Sequence, residues 1–162
     1  MLSRRHTVVA VLTCSVAATL AATGAATKTA TKQRVAIVVY ASVDTGGSFE
    51  VLPLKSGPLE HDMGSVTLAA TVKAPVVRGG LGVTPVLVVT RATSKLGTFK
   101  LSQKIESVDV GGGYSSDRGT WSVSAGTGVY AGLTGSGRLA AVGLPGGAGQ
   151  NSMRLEGFIT SP

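Results

Sequence analysis

Cysteine is nearly missing from this chain: the single thiol among 162 residues belongs to Cys14. It stands in an N-terminal stretch with the composition of a cleavable export signal, so the domain left after processing is expected to have none. Such a domain forms no disulfide, offers no thiolate nucleophile and builds no thiolate metal site. Histidine is almost as scarce, with His6 and His61, and only His61 lies beyond the signal. Any imidazole base or ligand must therefore be that one residue. Aromatic residues make up 4% of the chain, one Trp, three Tyr and three Phe, which is thin provision for the stacking platforms of a lectin. Long runs of one charge are absent too. The thirteen Lys and Arg beyond the signal, against eight Asp and Glu, are scattered singly and lack the clustered footprint of a sequence-specific nucleic-acid binder.

What is present begins with the export signal. MLSRRH supplies Arg4 and Arg5, TVVAVLTCSVAATLAATGAA follows without a charge, and Ala22, Gly24, Ala25 and Ala26 are small enough for a signal peptidase to close on the backbone. This predicts a signal-peptide helix over residues 1–26, a flexible polar leader over 27–33 (TKTATKQ), and one domain over 34–162 that is secreted and has no membrane association after cleavage. The competing reading is a retained anchor, against which the run is rich in Ala and Thr and poor in Leu, Ile and Phe. The twin Arg suggests a twin-arginine address, but Thr7 stands where that signal carries a bulky apolar residue, so a general secretory route is expected. Lipidation of Cys14 requires a small residue before it, and Thr13 fits poorly.

The remaining roughly 136 residues are enough to bury a core without covalent staples. Their hydrophobic period is that of strands. VAIVVYA at 35–41 is a buried run, and FEVLPL at 49–54 follows a turn at Asp44, Thr45, Gly46 and Gly47. From Gly64 to Lys73, Val66, Leu68, Ala70 and Val72 alternate with polar residues. PVLVVTR at 85–91 is apolar on both faces, and the stretch RGGLGVT before it reads as a turn. In GTFKLSQKI, Phe99, Leu101 and Ile105 point inward together with Gln103, whose buried amide needs a partner or a solvated cavity. GTWSVSA, SGRLAAVG and MRLEGFIT complete a set of about eight strands, and no segment has the pattern of an amphipathic helix. The expected fold is all-β, an antiparallel barrel of about eight strands, with a β-sandwich as the alternative.

Two constellations are candidates for chemistry. The first is WSVSAGTGVYAGLTGSGRL, residues 121–139, whose glycines suggest a phosphate loop. Its GTGVYAG is GxGxxxG and matches neither nucleotide fingerprint, strands flank it on both sides, and no cofactor motif occurs elsewhere. The second is Glu60, His61 and Asp62 with Glu50 close in sequence. Alternation along a strand places Glu60 and Asp62 on one face and His61 on the other, which disfavours a three-ligand metal site; a solvated turn is the plain structural reading.

The Trp strand, the GTG turn, the aromatic Tyr130 and the AGLTGSG turn into another strand resemble the closing hairpin of the allene oxide cyclase and dirigent superfamily of eight-stranded barrels. They also resemble small secreted actinobacterial proteins of unknown function, to whose opening strands GSFEVLPLKSGPLEHDMGSVTL is similar. The resemblance implies a barrel whose interior holds a small apolar molecule, but no catalytic motif of the family can be placed on these residues. A small apolar or amphipathic ligand is therefore the expected partner, lined by Gln103, Trp121 and Tyr130. Two alternatives stand beside it: an isomerase or cyclase in which Glu50 or Glu60, with His61 as the one imidazole, acts inside an apolar barrel, and a cell-surface structural or interaction module without a pocket. Oligomeric state has no signature in the sequence.

Overall fold

The computed structural model describes residues 30–145 and 151–162; the signal expected over 1–26 lies outside them. The strands in chain order are β1 (Thr31–Ser42), β2 (Gly46–Pro53), β3 (Asp62–Val72), β4 (Val76–Arg78), β5 (Leu81–Thr93), β6 (Thr98–Gly111), β7 (Tyr114–Gly126), β8 (Thr134–Gly143) and β9 (Asn151–Ser161). All pairings are antiparallel. Eight strands form a ring in the order β1, β2, β3, β5, β6, β7, β8, β9 and back to β1, closed by pairing of Ser65–Val72 with Val86–Thr93. That closing ladder makes the fold a barrel and excludes two separate sheets. The short β4 stands outside the ring as a partner of Leu81–Val83 on β5, so the stretch RGGLGVT is a hairpin where the sequence suggests only a turn.

Each strand sends alternate side chains inward, as its period of two requires. On β1 the inward set is Gln33, Val35, Ile37, Val39 and Ala41, all buried. β1 begins at Thr31, inside the stretch expected to be a flexible leader, and Gln33 gives the physical reason. Its side-chain amide donates to Lys55 O and Leu59 O at 2.9 Å each and accepts from Leu59 N at 2.8 Å. One polar side chain thus satisfies three backbone groups of the β2–β3 connection and ties the start of the chain to it.

A row of paired residues crosses the middle of the barrel: Gln103 on β6 faces Trp121 on β7, Trp121 faces Gly137 on β8, and Gly137 faces Gly157 on β9. Gly137 makes room for the indole, whose Nε1 donates to Arg138 O at 3.1 Å and Glu156 O at 3.2 Å. A Cβ at Gly137 would fall 2.7 Å from that nitrogen, closer than van der Waals contact permits. Trp121 is 2% exposed.

The end of the barrel reached by the β2–β3, β5–β6 and β7–β8 connections is packed shut. A short 3₁₀ turn, Gly128–Tyr130, drops Tyr130 into it. The ring of Tyr130 lies 4.6 Å from that of Phe99, which meets Phe49 edge-on at 5.2 Å, and Leu59 and Leu133 are buried around them. At the opposite end the inward side chains lose their cover. Along β3, Val66 is buried, Leu68 is partly buried, and Ala70 and Val72 are exposed although they share its inward face.

Candidate functional site

The open end forms a cavity of about 220 Å³ inside the ring. Its wall is mostly apolar: Leu68, Ala70, Val86, Val88, Ile105 and Met153, contributed by β3, β5, β6 and β9. Four polar side chains enter it, Ser107 from β6, Ser115 and Asp117 from β7, and Asn151 from β9. Their places follow from register, because Ser107 pairs with Asp117 and Asp117 with Ala141, so the carboxylate looks inward between two small neighbours. An apolar wall with a few convergent polar groups is the usual construction of a small-molecule site. An eight-stranded ring is just wide enough either to be filled by its own side chains or to hold one small ligand, and this barrel is filled at one end and leaves a cavity at the other.

Asp117 differs from the carboxylates elsewhere in its partners. On the outer wall, Glu50 meets His61 Nε2 at 2.7 Å, Glu106 meets Arg118 at 3.3 Å and also Arg78, and Glu156 meets Arg154 at 2.8 Å and Arg34 at 3.4 Å. The hydrogen bond from Arg154, helped by Arg34, holds the Glu156 carboxyl below the usual carboxylate range. At the closed end Asp62 accepts from the Tyr130 hydroxyl, and burial, reinforced by that carboxylate, pushes the phenol pKa up. Among the described residues, Asp117 Oδ1 and Gln103 Oε1 are the buried side-chain atoms without a hydrogen-bond partner.

The residues expected to line a ligand fall in different places. Gln103 and Trp121 lie one layer deeper than the cavity, paired with each other, with Gln103 opposite the cavity residue Val88. The Gln103 Nε2 donates to Thr90 Oγ1 at 3.3 Å, so half of its amide is satisfied. Tyr130 belongs to the closed end and does not meet the other two. The candidate acid–base residues Glu50, Glu60 and His61 lie outside the ring: Phe49 and Val51 take the inward positions on β2, and Glu60 and His61 are exposed just before β3. Glu60 and His61 border a solvent-facing hollow beside Lys55 and Gly57, whereas Asp62 turns inward and is buried. No group of three His, Cys, Asp or Glu able to hold a metal ion occurs among the described residues.

Asp117 is the site residue that motif reading passes over. Its signal is parity: Ser115, Asp117, Gly119, Trp121 and Val123 alternate along β7, so an inward Trp121 places Asp117 inside as well. A broader depression, about 540 Å³, runs along the outer wall between Lys73, Leu87, Lys104, Arg118 and Arg138. It opens on the outer wall, and Val86 and Ile105 line it as well as the mouth.

No protein-family model, no curated protein and no solved structure matches the chain.

Proposed function

We propose that this chain is a secreted β-barrel that binds a small apolar or amphipathic molecule in the open mouth of the ring. The observation that carries the reading is the half-filled interior: Trp121 and the aromatic cluster close one end, while Leu68, Val88, Ile105 and Met153 line an unfilled cavity at the other. Secretion rests on the composition of residues 1–26. The likeness of residues 121–139 to the closing hairpin of allene oxide cyclase and dirigent-like barrels supports the same kind of ligand.

At about 220 Å³ the cavity is smaller than the 300–1,000 Å³ typical of sites for drug-sized ligands. It suits a small molecule, or one end of a longer one whose remainder lies over the exposed side chains of Val43 and Val72 at the rim. Isomerase chemistry by Glu50 or Glu60 finds less support, because both face outward, away from any apolar enclosure that would raise a carboxyl pKa.

Isothermal titration of the mature chain with a panel of medium-chain alcohols and terpenoids, beside the variant Ala70→Trp, tests the proposal. Ala70 is exposed at the mouth, so an indole there fills the entrance without disturbing the packed half. Saturable binding to the native chain and its loss in Ala70→Trp is the expected result. Absence of binding to every member of the panel, or equal binding by the variant, overturns it.

A further inference from the structure

The mouth holds one carboxylate, and its chemistry narrows what the cavity takes. We infer that Asp117 is the anchor for a protonated amine, so that the ligand class is a small cationic amphiphile: an ammonium head on an aliphatic or terpenoid-like body. The inference rests on the cavity being the binding site.

The described residues around the Asp117 carboxylate include no cation that faces it. Its inward neighbours across the ladders are Ser107 on β6 and Ala141 on β8, and along β7 they are Ser115 and Gly119. All are neutral. The nearest cation in sequence, Arg118, points to the outer wall and is engaged with Glu106. Around the cavity the other residues are apolar apart from Asn151. Asp117 Oδ1 is withdrawn from solvent and makes no hydrogen bond among the described residues, while every buried or ion-paired carboxylate elsewhere in the described fold has its partner in the chain: Glu50 in His61, Asp62 in Tyr130, Glu106 in Arg78 and Arg118, Glu156 in Arg154 and Arg34.

A carboxylate oxygen without a donor in an apolar enclosure is costly, and a charged donor offsets that cost better than a neutral one, since hydrogen bonds between ions are roughly twice as strong as neutral ones. The hydroxyls of Ser107 and Ser115 flank the same spot on adjacent inward positions and can accept the remaining ammonium protons. An anionic head fails there, because it would meet Asp117 with no cation among the described residues lining the cavity to neutralise either charge. The aliphatic wall of Leu68, Val86, Val88 and Ile105 then takes the body.

Titration of the mature chain with decylamine, decanol and decanoate, each below its aggregation threshold, separates this inference from the reading beneath it. The expected order is the amine tightest, the alcohol about tenfold or more weaker, and the carboxylate undetectable. Asp117→Asn, which keeps size and strand geometry, should cost the amine about tenfold in affinity and leave the alcohol nearly unchanged, with an unaltered circular dichroism spectrum. Should Asp117→Asn fold poorly, Ser115→Ala with Ser107→Ala serves in its place and should weaken the amine more than the alcohol. Equal binding of the three heads, or an amine affinity indifferent to Asp117→Asn, overturns the ammonium anchor while leaving the cavity as a ligand site. Failure of all three to bind overturns both.

Discussion

Trp121 and Asp117 stand four residues apart on the same inward face of β7, and between them the barrel passes from packed to hollow. The indole is anchored to two backbone carbonyls across β8 and β9. The carboxylate, two inward positions further along β7, has an oxygen without a hydrogen-bond partner among the described residues. Between them Gly119 contributes no side chain; Trp121 lies below the residues that line the cavity, and Asp117 is one of them. One strand thus carries both the plug that stabilises the barrel and the group that gives the open end its chemistry.

The plug depends on Gly137 beside it. Gly137→Ala would drive a methyl group to 2.0 Å from Glu156 O and 2.7 Å from the indole nitrogen. Overpacking of this kind costs about 1–3 kcal/mol, and a loss of at least about 2 kcal/mol is expected because the β9 backbone on the other side also resists the shift. Trp121 is the only tryptophan, so urea unfolding followed by its fluorescence reads the effect at the site itself. A midpoint unchanged from the native chain would show that neither the β9 backbone nor the indole resists the added methyl group.

The closed end carries a pH dependence of known sign. Burial, then Asp62, raise the Tyr130 phenol pKa in the folded chain, whereas the unfolded chain titrates near the ordinary tyrosine value of about 10. Below that pH the contribution of Tyr130 is constant. Above it the unfolded state loses a proton that the folded state keeps, so stability falls as pH rises. Tyr130→Phe should lower stability by about 1–3 kcal/mol near neutrality by leaving the Asp62 oxygen without its donor, and should flatten the decline above pH 10. Parallel declines in the two proteins would contradict the assignment.

Gln33 ties the first strand to the β2–β3 connection through three hydrogen bonds. Gln33→Leu keeps similar bulk and strands those backbone groups, for an expected cost on the order of 3 kcal/mol. Hydrogen exchange at the Leu59 amide should accelerate more than exchange at the Trp121 layer. Uniform acceleration would mean that the side chain acts on the whole barrel and not on this junction.

The outer pair of Glu50 and His61 is exposed on both sides, and exposed ion pairs contribute about 0–1 kcal/mol. Glu50→Gln, Glu60→Gln and His61→Ala are each expected to leave ligand affinity unchanged and stability within about 1 kcal/mol. Loss of binding in any of the three, measured by the same titration, would place the functional surface outside the ring.

Much of this fold is legible along the chain because a barrel strand writes its inward face as alternation. Val66, Leu68, Ala70 and Val72 on β3, or Phe99, Leu101, Gln103 and Ile105 on β6, identify themselves by period alone, and Gln103 stands out as the polar member of its row. Three features need information that no single segment carries. Gln33 belongs to β1 because Lys55 and Leu59, more than twenty residues away, present it with backbone groups, so its own polar neighbourhood reads as a leader. The β4 hairpin forms from three residues whose only partner is the start of β5. Asp117 becomes a site residue through register: only the pairing of β6, β7 and β8 sets it between Ser107 and Ala141 beside the apolar wall. Glu50, Glu60 and His61 attract attention because they are close in sequence, yet β2 directs Phe49 and Val51 inward and the acidic cluster lies outside.

The most direct measurement of the central claim is methyl chemical-shift mapping of the mature chain during titration with decylamine. The methyl groups of Leu68, Val86, Val88, Ile105 and Met153, all at the mouth, are predicted to shift in a saturable manner, while those of Leu101, Val123 and Ile159 in the packed half stay in place. Shifts confined to outer-wall methyls such as those of Leu87 and Val89, or none at all, would contradict the mouth of the barrel as the binding site.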